Sequence, residues 1–281
     1  MPATVEQQAL IDAIAAELAG NPDIEAAWLS GSLGRGGGDQ FSDVDILALA
    51  ADGRADAASA RWVAEGVGRV AEPVLVNKLF GGRIVNVVTA GWERFDVVFV
   101  QGAEIGRYDG GQLTPLFNRT GVEPPRPAPV AYQPSPAAVT ALVEEFLRVL
   151  GLGPVGIGRE EFVVCLSGVE LLRKMTVDMM LEANRVSPAE RGGALKRNPF
   201  LTAEQRAALE GLAPVAANRE SLMAANTALA RLFLPCARQA AAEVGATWPA
   251  ALEAATKRRL VGYFGEGGWP ENLPDAEQNR P

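Results

Sequence analysis

Residues 28–50, WLSGSLGRGGGDQFSDVDILALA, constrain the fold more than any other stretch. The segment opens apolar, breaks at Gly31-Ser32, runs through a glycine-rich loop, and returns as an apolar strand carrying Asp43 and Asp45. Successive side chains of a strand point to opposite faces. Asp43 and Asp45 therefore share a face, about 6.5–7 Å apart at the backbone. Val44 and Ile46 turn the other way, into a core. Two carboxylates on one strand face, beside a glycine loop, suit divalent cations, which take hard oxygen ligands.

The loop supplies a second function. Gly31 follows an apolar strand over 24–29 and lets the backbone come close to a phosphate, to which Ser32 offers a hydroxyl and an N–H. Helical amides starting there add to the anion site, and Arg35 can fork onto a phosphate. A third acid, Asp96, stands inside the apolar run RFDVVFV (94–100). A carboxylate in such a strand is costly unless paired or metal-bound. The other reading is a solvent-facing acid on an edge strand.

The chain contains no histidine and two cysteines, Cys165 and Cys236. That removes Ser-His-Asp and Cys-His nucleophilic catalysis, a histidine base, and histidine or thiolate zinc sites. Polar chemistry must rest on Asp, Glu, Lys, Arg, Ser and bound metal, which favours Mg²⁺-assisted phosphoryl-type transfer. Both cysteines lie in apolar helical contexts and are expected to be buried free thiols. The net charge is −8. A nucleic-acid binder usually presents a basic surface, so no nucleic-acid partner is expected and a neutral or cationic small molecule fits better. No apolar run approaches the ~20 residues of a membrane span. No membrane association is expected, and without a secretory leader pattern a cytoplasmic location is the default.

The fold class expected is α/β (α+β): a mixed sheet flanked by helices, then an all-α bundle. A capped amphipathic helix covers 4–19, with Thr4 and Gln7 as a capping box. Strands follow over 24–29 and 43–50, a helix over 54–70, and strands over 74–80, 83–90 and 94–100, with Gly81-Gly82 as a hairpin turn. Residues 1–120 form the expected catalytic domain. Residues 121–136, GVEPPRPAPVAYQPSP, are too proline-rich for helix or inner strand and read as a linker. The helical domain spans 137–264, with helices over 135–150, 160–184, 202–212, 216–244 (broken at Pro235) and 249–264. Residues 151–158 read as a loop, 187–199 with Gly192-Gly193 as irregular, and 265–281 as a disordered tail. Met175, Met179 and Met180 read as core packing, and Lys257-Arg258-Arg259 as a solvated helix end. Trp28 and Trp92 are expected to fill the core.

Gly-Ser, ten intervening residues, then Asp-x-Asp resembles the nucleotidyltransferase superfamily that includes DNA polymerase β. GSLGR (31–35) followed by FSDVD (41–45) is most similar to the kanamycin and lincosamide nucleotidyltransferases. The resemblance covers about the first hundred residues well and the rest in outline. It implies a Mg²⁺-dependent enzyme with two ions, moving a nucleoside monophosphate from an NTP, expected to be ATP, to a hydroxyl of a small molecule with release of pyrophosphate. Asp43, Asp45 and Asp96 are then the metal ligands. Gly31, Ser32, Arg35 and Ser42 are nucleotide contacts. Glu170 and Lys174, four apart on one helix face, match a general base and a phosphate contact of that group; the plain reading is a helix ion pair worth a few tenths of a kcal/mol. Asp96, Glu93 and Glu104 are the alternative bases. The resemblance further implies an aminoglycoside or lincosamide acceptor in a cleft between the domains, and a homodimer. Two other readings stand beside it: a protein-modifying nucleotidyltransferase of toxin–antitoxin type, against which a large helical domain counts, and a non-catalytic nucleotide-binding module, against which the three intact acids count.

Overall fold

The structure, a computed structural model, describes residues 3–128, 130–191 and 196–270. The chain divides into two compact units, Met1–Pro129 and Val130–Pro281. The first is built on strands β1 (Ile24–Leu29), β2 (Val44–Ala50), β3 (Pro73–Leu79), β4 (Ile84–Thr89), β5 (Arg94–Gln101) and β6 (Thr114–Asn118). They form one sheet in the order β3-β4-β5-β2-β1-β6. β2 and β5 run parallel, and every other neighbouring pair is antiparallel.

The two-residue period sorts the strands into faces. Phe95, Val97 and Phe99 of β5 join Val44, Ile46 and Ala48 of β2 in the main core. Helix α1 (Val5–Gly20) covers that core with Ile11, Ile14 and Leu18. On the opposite face Trp28, Leu47, Leu49 and Val100 form a smaller cluster with Ile105. Asp45 and Asp96 belong to this second face by strand parity.

Three details of this unit differ from expectation. β6 was not expected: TPLFN is short and carries Pro115. It is an edge strand, where a missing N–H is tolerated, and Pro115 pairs with Trp28. The helix expected over 54–70 is three pieces: α3 (Ala55–Arg61), a π-turn at Trp62–Gly66, and α4 (Val67–Val70). The wider turn accompanies the edge-on packing of Trp62 on Phe95, with ring centroids 6.3 Å apart. Trp92 is not in the core but 76% exposed, whereas Trp28 is 1% exposed. The β3–β4 hairpin turns where expected, with Gly81 at φ +70 and Gly82 at φ +95, values that favour glycine.

The second unit is helical: α5 (Pro136–Gly151), α6 (Gly153–Gly158), α7 (Phe162–Ala183), α8 (Ala203–Glu210), α9 (Arg219–Val244) and α10 (Ala250–Phe264). Its core includes Phe146 of α5 stacked on Phe233 of α9, centroids 3.7 Å apart. Met175 and Met179 pack in that core as expected. Residues 153–158 are a short helix rather than a loop: Pro154 occupies its first turn and Ile157 is buried. α9 runs unbroken through Pro235 and ends at Gly245, φ +68. Residues 265–270 are ordered, with Trp269 buried in the helical core. The remaining tail, 271–281, and Gly192-Gly193 lie outside the described residues. Among the described residues no helix is long and apolar enough to cross a membrane.

Candidate active site

The parallel pairing of β2 with β5 sets Asp45 directly opposite Asp96. One strand further, Asn86 of β4 lies opposite Asp96, and Asn77 of β3 lies opposite Asn86. A row of four polar side chains thus crosses four strands on one face.

The Gly-Ser turn packs against the Asp45 end of this row. The Ser30 N–H donates to the Asp45 carbonyl at 2.8 Å, and helix α2 (Gly31–Gly34) begins at once. Gly31 has φ +60, and a β-carbon there would overlap the Asp45 carboxylate. A β-carbon at Gly34 would collide with the Leu29 carbonyl. The GSLG spacing is therefore a packing requirement: both glycines let the loop lie close upon the strand ends.

Asp43 precedes β2 and sits 3.9 Å from the guanidinium of Arg94, at the start of β5. Arg94 also donates to the Phe41 carbonyl at 3.3 Å. Burial, with the charges of Asp43 and Asp96, pushes the Asp45 carboxyl up to about 7, against the opposing pull of Arg35 and Arg94. Burial also raises Asp96, with a contribution from Asp43, while the hydrogen bond from Asn86 and the charge of Arg94 hold it down. Arg94 was missed by the sequence reading, because only the β2–β5 register brings it to Asp43.

The loop ahead of Asp43 is tied down from α1. The Gln7 amide donates to the carbonyls of Asp39 (2.9 Å) and Ser42 (2.8 Å). Its oxygen accepts from the Thr4 N–H at 2.8 Å, completing the capping box. Gln7 was read only as a cap; its second role needed the loop's position. The Ser42 hydroxyl accepts from the Asp39 N–H at 3.0 Å and donates to the Asp39 carboxylate at 3.1 Å. That hydroxyl is engaged within its own turn.

As a donor set, Asp43, Asp45 and Asp96 are hard oxygens of the kind Mg²⁺ takes. Crowding of half-buried carboxyls with only partial guanidinium compensation is relieved by a cation. The side chains are not gathered on a single point: among the described residues, no three His, Cys, Asp or Glu groups are close enough to enclose a metal ion.

The second-unit pair has different partners from those expected. Glu170 lies 3.6 Å from Arg173, and Lys174 lies 2.5 Å from Asp178, one turn further on. Both side chains are 69% exposed. Of the alternative bases, Glu93 accepts from the Thr89 hydroxyl, and Glu104 accepts from the Gln101 N–H and Arg83, both at 3.1 Å. Both are occupied in holding loops. The cysteines are free, with burial pushing the Cys236 thiol up to about 11.

No family model matches the sequence, and no curated protein matches it. Among solved structures, the chain is similar to an aminoglycoside 6-adenyltransferase from Bacillus subtilis at 14% identity. That likeness covers 91% of this chain and 97% of the other, with a TM-score of 0.42.

Proposed function

We propose that the chain is a divalent-cation-dependent nucleotidyltransferase that moves a nucleoside monophosphate from an NTP, ATP in the first instance, to a hydroxyl of a small molecule. The observation that carries this is the placement of Asp45 opposite Asp96, with the Asp45 carboxylate lying on Gly31 of the Gly-Ser turn. An anion-binding turn directly against paired carboxylates is what transfer of a negatively charged phosphoryl group requires.

Asp43, Asp45 and Asp96 are the residues that would hold Mg²⁺, with two ions the expected complement. Bound there, Mg²⁺ supplies charge neutralisation at the phosphates and a more acidic acceptor hydroxyl. Gly31, Ser32 and Arg35 bind the β- and γ-phosphates, and Ser42 shapes the turn leading to Asp43. Arg94 offsets the negative charge of the acid cluster. The acceptor oxygen bonds to the α-phosphorus, the bond from that phosphorus to the bridging oxygen breaks, and pyrophosphate leaves. In this reading the hydroxyl proton passes to a carboxylate, with Asp96 the candidate base within the first unit. Aminoglycoside and lincosamide hydroxyls are the acceptors to try first.

The test is pyrophosphate release from each of the four NTPs with Mg²⁺, with and without such acceptors. Asp45→Asn is run in parallel. Acceptor-dependent release that disappears in Asp45→Asn supports the reading. Tight NTP binding with no release for any acceptor in the panel rejects the small-molecule assignment.

A further inference from the structure

β5 lies between two strands that carry polar side chains at one level: Asp45 on β2 and Asn86 on β4 both face Asp96. Directly opposed residues of paired strands bring their side chains about 4.5–5.5 Å apart, within reach of a hydrogen bond. The register sets the Asn86 amide beside the Asp96 carboxyl, and that amide is among the groups that hold the carboxyl down. A carboxylate only accepts, so the Asn86 amide nitrogen is the donor.

The far side of Asn86 agrees with this orientation. The Asn77 amide reaches the Asn86 oxygen at 3.5 Å, a long contact of the matching polarity. The amide of Asn86 therefore points its nitrogen at Asp96 and its oxygen at the sheet edge. Its position is otherwise unfavourable. Asn is depleted in strands, and Val85 and Val87 on either side are fully buried. A half-buried amide between them has one polar neighbour of consequence, the acid of the site.

We propose that Asn86 is a positioning residue for Asp96: its amide engages the carboxylate from the β4 side and leaves it turned toward β2, where together with Asp45 it would hold a divalent cation. This rests on the reading of Asp43, Asp45 and Asp96 as cation ligands. Partners outside the ligand set that orient a ligating carboxylate typically control affinity by 10- to 100-fold. Asn77 supports Asn86 and acts one step further away.

The test is Mn²⁺ binding to the full chain, read from the loss of the free-ion paramagnetic resonance signal, with thermal melting of the metal-free protein as a folding control. Wild type, Asp96→Asn, Asn86→Leu, Asn86→Ser and Asn77→Leu are compared. Asn86→Leu is expected to weaken Mn²⁺ binding by about 10-fold or more. Asn86→Ser, which keeps a short donor, loses less, and Asn77→Leu least. Full affinity in Asn86→Leu, when Asp96→Asn has lost it, overturns the proposal and leaves the site reading standing. No Mn²⁺ binding by the wild type overturns both. If Asn86→Leu does not fold, Asn86→Ala, which also removes the donor, decides: undiminished affinity there overturns the proposal.

Discussion

The carboxylate of Asp45 lies against the Cα of Gly31, in the space a β-carbon would fill. The acid and the turn are thus one packing unit. Gly31→Ala has two effects, backbone strain at φ +60 and displacement of the acid. Gly36 separates them, since it has φ +72 with open space around it. Both alanine variants are expected to cost about 1–3 kcal/mol in denaturant unfolding. Only Gly31→Ala is expected to lower kcat/KM as well, by about 100-fold. Equal activities in the two would show that the Asp45 contact is irrelevant to turnover.

Asp45 sets a pH dependence for the metal-free protein. Its carboxyl is raised from 3.8 to about 7, so the folded state holds a proton that the unfolded chain releases. The stabilisation is fully present below pH 3.8 and is lost as pH rises through about 7. Asp45→Asn removes this loss. The variant should be more stable than wild type by about 2–4 kcal/mol at pH 8, with the gap closing toward pH 4. Added Mg²⁺ should raise the wild-type melting temperature and leave the variant unmoved. A pH-independent gap would show that Asp45 titrates normally.

Gln7 links a helix start to the approach to Asp43. Gln7→Glu keeps the oxygen that caps α1 but sets a carboxylate against the carbonyls of Asp39 and Ser42. The expected cost is about 1–3 kcal/mol, read from urea unfolding, with a raised KM for the NTP. An unchanged KM would mean that the loop holds its shape without the tie.

How far the sequence reveals these features depends on how local they are. The alternation of RFDVVFV places Phe95 and Asp96 on opposite faces without any knowledge of neighbours, and β5 is found there. The hairpin at Gly81-Gly82 and the Thr4–Gln7 cap are equally local. β6 was illegible because Pro115 argues against a strand until the strand is known to lie at an edge. Residues 153–158 looked like a loop because glycine is a poor helix former, and burial of Ile157 outweighs that. At the site, the three acids and the glycine turn were readable from residue type and spacing. Arg94 and Asn86 were not, because their meaning lies in the strand register. Lys174 was readable as one turn from Glu170 but not as the partner of Asp178, which stands at the same spacing on its other side.

The most direct measurement is the mass of the acceptor after incubation with ATP, Mg²⁺ and the protein, across aminoglycosides and lincosamides. The account predicts an acceptor heavier by one nucleoside monophosphate with wild type, and none with Asp45→Asn or Asp96→Asn. An adduct formed equally well by wild type and Asp45→Asn would contradict it, because the transfer would then not depend on the acid that packs against the Gly-Ser turn.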